Sequence, residues 1–217
     1  MIKPLILLGG GGHAKVLIEV LQRLHHPLLG FLDPYPVMGS TLLGVPKLGG
    51  DEVVNNYQPN EIELVNGIGS VPNDRGLRIS LFKAFSAQGY VFKTVLDPTA
   101  LISPSAQFMT GVQVMAGVII QADAKIATNS IINTGAIVEH DCRIGEHVHI
   151  APGVVLSGGV EVGDHVHIGT GAIVIQGIKI GAGSVIGAGS VVMRDVASNQ
   201  IVYPARSHTQ AINTHEK

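Results

Sequence analysis

The stretch 144-IGEHVHIAPGVVLSGGVEVGDHVHIGTGAIVIQGIKIGAGSVIGAGS-190 repeats one pattern every six residues. The first residue of each six is aliphatic, and the fifth is small or β-branched. The pattern extends through sixteen consecutive hexads, which begin at Ile102 and end with the hexad of Val192, and fifteen of the leading residues are aliphatic. A six-residue repeat is too short for a helical repeat and is typical of one face of a β-solenoid. Three hexads then make a triangular coil of 18 residues, with the first and fifth residues inward and the third and fourth at the corner.

Residues 1–97 have a different periodicity, in which strands and helices alternate. A short apolar run, 4-PLILLGG-10, predicts a buried strand, and helical spacing of apolar residues follows from His13 to Leu24. Further strands are predicted in 28–34, 61–70 and 90–98, and a second helix in 74–90. This alternation indicates a small parallel α/β sheet. We therefore expect a Rossmann-like domain over 1–97, a parallel β-helix over 98–197 and a C-terminal tail over 198–217.

Composition limits the partners and the compartment. The chain is 46% hydrophobic and only 14% charged, which suggests an oligomer, and its net charge of -2 without a basic block argues against nucleic acid or anionic membranes. A single cysteine, Cys142, excludes an intrachain disulfide and fits a reducing compartment. The apolar run 5–8 is too short for a signal-peptide core or a membrane span. We expect a cytoplasmic protein that does not insert into membranes.

The chemistry should lie where the repeat departs from its pattern. His140 and Asp141 occupy the two corner positions of one hexad, so both should point outward, and an acid beside an imidazole can fix its tautomer and stabilise its charged form. Cys142 follows in the inward fifth position, which indicates a core residue rather than a nucleophile. Further outward histidines stand on neighbouring coils, either as solvated or packed residues or as functional ones: His147, His149, His165 and His167.

The glycine run before the first helix raises a second possibility. Gly9, Gly11 and Ala14 fit a loose G-x-G-x-x-A pattern, and Asp33 ends the next strand about 20 residues later. A nicotinamide dinucleotide is therefore one alternative. However, about 97 residues are roughly half of a full two-lobed dinucleotide fold. A helix N-terminus behind a glycine loop also suits the phosphates of other nucleotides.

Several motifs together resemble one enzyme family: 9-GGGGHAK-15, 31-FLDP-34, 67-GIGS-70, the unbroken hexads, 139-EHDC-142 and 203-YPAR-206. They are similar to sugar acetyltransferases related to bacterial UDP-4-amino-sugar N-acetyltransferase and sialic acid O-acetyltransferase, among them the bacillosamine-pathway and GDP-perosamine enzymes. The resemblance covers residues 4–206 and implies a left-handed β-helix, although parallel crossovers are generally right-handed. Val202 departs from the glycine that the family has in its C-terminal motif.

The resemblance also implies a mechanism and a set of roles. Acetyl-CoA would lie along the solenoid between two subunits of a homotrimer, and His140 would be the general base, with Asp141 as its acidic neighbour and no metal. Transfer would be direct, without a nucleophilic residue. Contacts to acetyl-CoA are implied for His149, Gly158, Thr170 and Ala188. Contacts to a nucleotide-sugar acceptor are implied for Gly11, Gly12, His13, Asp33, Pro34 and Gly69.

The acceptor remains open at the level of sequence. We expect UDP-4-amino-4,6-dideoxy-N-acetylglucosamine, which would give UDP-N,N'-diacetylbacillosamine. GDP-perosamine N-acetylation and sialic acid O-acetylation are alternatives, and the phosphate-binding loop favours a nucleotide sugar. A zinc hydrolyase on the same solenoid would need three converging histidines, for which the chain has candidates. A non-catalytic sugar-nucleotide sensor or scaffold is the remaining alternative.

Overall fold

The N-terminal part of the protein is a small α/β domain, as the sequence predicts. The computed structural model describes residues 2–35, 41–70, 72 and 76–205. The elements of this domain are β1 (Leu5–Leu8), α1 (Gly12–Arg23), β2 (Leu28–Leu32), β3 (Thr41–Leu42), β4 (Val45–Gly49), a 3-10 helix (Asp51–Asn56), β5 (Glu63–Asn66) and α2 (Leu77–Ala87). Most of the predicted tail, 206–217, lies outside the described residues.

The sheet has the order β3-β4-β2-β1-β5, and its neighbours run parallel except for β3 and β4. β1 is fully buried because both of its faces are covered. Leu5 and Leu7 pack in the cluster that includes α1, whereas Ile6 and Leu8 pack with α2. This alternation follows from the two-residue period of a strand. The carboxyl ends of β1, β2 and β5 therefore meet at one edge.

Two features of this domain differ from the sequence-based expectation. β3 and β4 form a hairpin that was not predicted; its turn is Leu43-Gly44, and both residues have positive φ, as a two-residue hairpin turn of this type requires. The strand predicted in 90–98 is divided between the domains. Phe92 bridges to β5, whereas Val95–Leu96 pairs with Gln113–Val114 of the solenoid. The solenoid ladder thus begins at Val95.

The C-terminal part is a parallel β-solenoid with three sheets. We name one sheet by the domain that it faces and the other two by their outward side chains. The domain-facing sheet comprises Val95–Leu96, Gln113–Val114, Ile131–Ile132, His149–Ile150, His167–Ile168, Val185–Ile186 and Ile201–Val202. The apolar sheet comprises Leu101–Ile102, Ile119–Ile120, Ile137–Val138, Val155–Leu156, Ile173–Val174 and Val191–Val192. The charged sheet comprises Gln107–Phe108, Lys125–Ile126, Arg143–Ile144, Glu161–Val162 and Lys179–Ile180.

Each strand pairs with the strand 18 residues later, as Ile119 does with Ile137, so the predicted coil length is confirmed. First and fifth residues of the hexads form one buried core inside the coils. The fourth position has a left-handed backbone in every hexad from Gly111 to Gly189. Glycine holds most of these positions, and the others carry Asp, Asn or His, the side chains most tolerant of this conformation. This requirement explains why Asp141 and His147 stand at corners.

The N-terminal domain packs on the domain-facing sheet. The apolar cluster around α1 continues into Val95, Met115 and Ile131 of the solenoid. At the rim of this contact the guanidinium of Arg23 pairs with the buried carboxylate of Asp97. Burial alone would raise the pKa of Asp97, but hydrogen bonds from Thr99 and Arg23 lower it. Among the described residues, neither helix is long and apolar enough to cross a membrane.

Candidate active site

His140 and Asp141 form an exposed pair at the edge where the apolar sheet turns into the charged sheet. Nδ1 of His140 lies 2.8 Å from Oδ2 of Asp141, and the two side chains are 56% and 65% exposed. The left-handed backbone of Asp141, with φ of 61°, turns the chain at this corner. The pair therefore stands on the surface, where a ligand can reach it.

The carboxylate determines which nitrogen of His140 is available. An ionised carboxylate only accepts hydrogen bonds, so Nδ1 carries the proton and Nε2 keeps its lone pair. The pKa of His140 is raised, first by the hydrogen bond to Asp141 and further by the charges of Asp141 and Glu139. The arrangement suits a group that takes a proton at Nε2 and is stabilised once charged.

Gly158 lies directly against the ring of His140, one coil further on. A Cβ at this glycine would stand 2.6 Å from both Cε1 and Nε2 of His140. The resemblance implies an acetyl-CoA contact for Gly158, and the structure shows in addition that the missing side chain leaves room for the imidazole of His140. Cys142, beside the pair, is buried as predicted, and its Sγ lies 3.3 Å from the carbonyl oxygen of Ser157.

Replacing Gly158 by alanine should therefore displace His140 without unfolding the coil, because Gly158 does not have a positive φ. We expect kcat to fall roughly 10- to 100-fold, since misplacement by about 1 Å has an effect of this size. Steady-state kinetics with a thermal melt as a folding control would measure it. Gln176→Ala, at the same edge one coil further, is the matched control. Unchanged kcat in Gly158→Ala would show that the ring position does not matter.

The glycine loop lies at the carboxyl edge of the N-terminal sheet. Gly11 and Gly12 are exposed at the start of α1, and a Cβ at either would have no neighbour within 4 Å. Asp33 ends β2, and its two carboxylate oxygens accept hydrogen bonds from the backbone N–H groups of Gly10 and Tyr35, each at 2.9 Å. Asp33 therefore orders the loop itself.

Three further residues implied as acceptor contacts lie at the same edge. Pro34 is exposed beside Asp33, and Gly69 lies against His13, whose Cβ would be 3.5 Å from a Cβ at Gly69. His13 Nε2 lies 2.8 Å from Oε1 of Gln113, which belongs to the solenoid. The structure thus brings together all six residues that the resemblance assigns to the acceptor, at the edge where parallel sheets bind ligands. The sequence did not predict the contact between His13 and Gln113.

The residues implied for acetyl-CoA are not brought together within one chain. His149 is only 8% exposed beneath the N-terminal domain, where its Nδ1–H donates to the carbonyl oxygen of Ser70 at 2.6 Å. Thr170 and Ala188 are exposed, one coil apart, at the edge between the domain-facing and apolar sheets. His140 and Gly158 lie at a different edge. The hexad pattern predicts where each of these residues lies on its coil. It does not predict which edges of the solenoid come together to form a site.

Burial of His149 predicts that the protein loses stability in mild acid. Burial, followed by the charge of His167, lowers the pKa of His149 to about 3, whereas an unfolded histidine titrates near 6.5. The unfolded state then binds the proton first, so stability is lost as pH falls below about 6.5. We expect His149 alone to lower the free energy of unfolding by roughly 2 kcal/mol between pH 7 and pH 5.

Urea denaturation at the two pH values would measure this effect. His149→Asn should reduce the difference between pH 7 and pH 5, even though the variant is less stable at pH 7. An undiminished pH dependence in His149→Asn would contradict the assignment to His149.

Other histidines pack between the two domains. The ring of His147 stacks on that of His165 at 5.1 Å and meets the edge of Phe82 at 5.7 Å. A cavity of about 260 Å³ opens between this pair, His167 and Arg78. Within the described ranges, no group of three or more His, Cys, Asp or Glu side chains is placed to hold a metal ion. Packing therefore accounts for His147 and His165 in this structure.

The apolar sheet carries an uncovered aliphatic stripe on its outer surface. Its outward side chains are aliphatic in every coil, and those of Leu101, Ile173 and Val191 are 67%, 42% and 55% exposed. The corresponding outward side chains of the charged sheet include Lys125 and Arg143. A contiguous exposed apolar surface of this kind marks an interaction site.

Comparison with known proteins gives a consistent result. The family model of the PglD N-terminal domain matches residues 4–76, and the model of the bacterial transferase hexapeptide (six repeats) matches 123–158 and 159–194. PerB from Caulobacter crescentus, whose structure is in complex with CoA and GDP-perosamine, is 39% identical, with a TM-score of 0.83 over 93% of this chain and 94% of that chain. No curated protein sequence matches the chain significantly.

Two further structures are similar over almost the whole chain. The acetyltransferase domain of PglB from Neisseria gonorrhoeae FA1090, in complex with acetyl coenzyme A, is 31% identical, with a TM-score of 0.86 over 95% of this chain and 99% of that chain. WeeI from Acinetobacter baumannii AYE, 24% identical over 93% and 97% with a TM-score of 0.81, shares the fold. Similarity to PerB and PglB at this level confirms the resemblance seen in the sequence: the protein belongs to the hexapeptide-repeat sugar acetyltransferases.

Proposed function

We propose that this enzyme transfers the acetyl group of acetyl-CoA to the 4-amino group of a nucleotide-linked amino sugar, with His140 as the general base. The observation that carries the proposal is the His140–Asp141 pair, whose geometry leaves Nε2 free on an exposed edge of the solenoid. CoA and acetyl-CoA in the structures of PerB and PglB support the donor.

The reaction needs no nucleophilic residue of the protein. The amine nitrogen attacks the thioester carbonyl, the C–N bond forms and the C–S bond breaks. The proton that leaves the nitrogen goes to Nε2 of His140, which then gives it to the departing sulfur, so that CoA leaves as the thiol. Asp141 holds the ring and stabilises the imidazolium that forms. Because the side chain of His140 is exposed, both substrates can reach its Nε2.

The acceptor that we propose first is GDP-perosamine, because PerB, the relative with 39% identity, was crystallised with it. UDP-4-amino-4,6-dideoxy-N-acetylglucosamine, which the sequence favoured, becomes the second candidate. Both carry a diphosphate, which suits the free N–H groups at the start of α1. Sialic acid has no diphosphate and ranks below both.

We also propose that the site is completed between subunits of a homotrimer. The acceptor loop and the His140 edge lie on different sides of one chain, so one chain alone does not assemble the site. The aliphatic stripe adjoins the His140 edge, because Ile137 belongs to the stripe and precedes His140 by three residues. Packing a second copy on the stripe would bring its acceptor loop toward His140.

An acceptor panel tests the proposed reaction. Purified enzyme is incubated with acetyl-CoA and, in turn, GDP-perosamine, the UDP-linked 4-amino sugar and sialic acid. Thiol release is followed together with the mass of the product. We expect an N-acetylated nucleotide sugar with the GDP or the UDP acceptor. Absence of any acetylated product from both would overturn the proposal, and O-acetylated sialic acid would replace it.

Gly12→Asp should block the acceptor loop without harming the fold. A Cβ at Gly12 meets no atom within 4 Å, and an acidic residue at the start of α1 is favourable for the helix. The same charge repels a diphosphate. We expect KM for the nucleotide sugar to rise more than about tenfold, with KM for acetyl-CoA unchanged. Gly12→Asn, which is uncharged, is the control, and an equal KM in both variants would contradict a phosphate contact here.

A further inference from the structure

Two hydrogen bonds made by the side chain of Gln113 join the acceptor loop and β5 to the solenoid. This side chain belongs to the domain-facing sheet, is 1% exposed and lies under the N-terminal domain. Its Nε2 donates to the backbone carbonyl oxygen of Asn66, at the end of β5, at 2.8 Å. Its Oε1 lies 2.8 Å from Nε2 of His13. Nothing in the sequence motifs indicated this connection.

These hydrogen bonds determine which ring nitrogen of His13 carries the proton. The carbonyl oxygen of Asn66 can only accept a hydrogen bond, so the amide NH₂ of Gln113 must point toward it. The amide oxygen of Gln113 must then point toward His13, and Nε2 of His13 must carry the proton. Nδ1 is left with a lone pair, and it has no hydrogen-bond partner among the described residues. Burial, followed by the charge of Arg78, lowers the pKa of His13 to about 4, so the ring is neutral near pH 7.

A neutral ring with a lone pair at Nδ1 selects its partner. The phosphates of a nucleotide sugar carry no donor near pH 7, so they do not hydrogen-bond to this atom. The glycine loop and the start of α1 already suit the phosphates. His13 reaches from that loop to Gln113 of the solenoid, so the group beside it is a different part of the substrate from the diphosphate. The sugar is attached directly to the diphosphate and carries O–H and N–H donors.

We infer that Gln113 is a positioning residue that fixes His13 as an acceptor, through Nδ1, for an O–H or N–H group on the sugar of the nucleotide-sugar substrate. This inference rests on the proposed function for the identity of the ligand. The tautomer itself does not depend on that identity.

Ring ¹⁵N NMR of the full-length protein with labelled histidine tests the tautomer in the absence of substrate. The signal of His13 is identified by its loss in His13→Asn. We expect a protonated Nε2 and an unprotonated Nδ1, unchanged from pH 6 to pH 8. In Gln113→Glu the added charge should make His13 titrate within that range, whereas Gln107→Glu, at the same hexad position on the charged sheet, should not. A protonated Nδ1 or a charged ring in the wild type would overturn the inference.

Calorimetry with GDP-perosamine and with GDP tests the ligand group. His13→Ala should weaken binding of GDP-perosamine about five- to tenfold and leave GDP binding unchanged, because one hydrogen bond to the sugar is lost. Equal weakening of both ligands would place the contact on the nucleotide and overturn the inference. Gln113→Met, which keeps the side-chain volume, should reproduce the selective loss. If GDP-perosamine and the UDP-linked sugar are both unreactive, the proposed function fails, while the NMR result still decides the tautomer.

Discussion

Replacing His140 by alanine is expected to lower kcat by roughly 10²- to 10⁴-fold, the usual contribution of a general base. The KM values and the melting temperature should change little, because the side chain is 56% exposed and, within the described ranges, hydrogen-bonds only to the adjacent Asp141. Thiol release in the steady state measures the effect. His25→Asn, a change at an exposed histidine remote from the solenoid edge, is the control. Full activity in His140→Ala would remove His140 from the mechanism.

The pH profile gives the same residue a second signature. Asp141 raises the pKa of His140, and the base must be neutral to act, so kcat/KM should rise with pH through a value above the ordinary histidine pKa. Asp141→Asn should move this limb to lower pH and also reduce the plateau, because the tautomer is no longer fixed. A limb that stays in place in Asp141→Asn would show that another group titrates.

Ile173→Asp is expected to dissociate the oligomer and to abolish activity. The change places a charge in the middle of the aliphatic stripe, which would be buried against a second copy. Light scattering should show wild type at three times the 22.7 kDa chain mass and the variant at the chain mass. Lys125→Asp on the charged sheet is the control. An Ile173→Asp trimer with full activity would mean that the stripe is not the interface.

The solenoid could be predicted from sequence because each hexad repeats the same physical requirement. An aliphatic residue such as Ile144 must fill the core, and a corner such as Gly153 must adopt a left-handed backbone, so position along the chain gives position on the coil. Identifying His140 as outward and Cys142 as inward followed directly.

Contacts between domains could not be predicted in the same way. Nothing in the hexad pattern distinguishes Gln113, which bonds to His13, from Gln107, which lies on the charged sheet. His149 is outward on its strand, yet the N-terminal domain buries it. These outcomes depend on which sheet the domain covers, and that depends on apolar packing around Met115 and Ile131 rather than on a local motif.

The proposed sharing of the site between subunits can be tested by mixing two defective chains. His140→Ala retains the acceptor loop, and Gly12→Asp retains the base, so each is inactive alone at low acceptor concentration. The two chains, carrying different tags, are co-expressed and the mixed oligomers are purified. If each site takes its base from one subunit and its acceptor loop from the next, random assembly restores about a quarter of the wild-type activity. Activity no greater than that of the two parents would show that each chain works alone and would contradict the account.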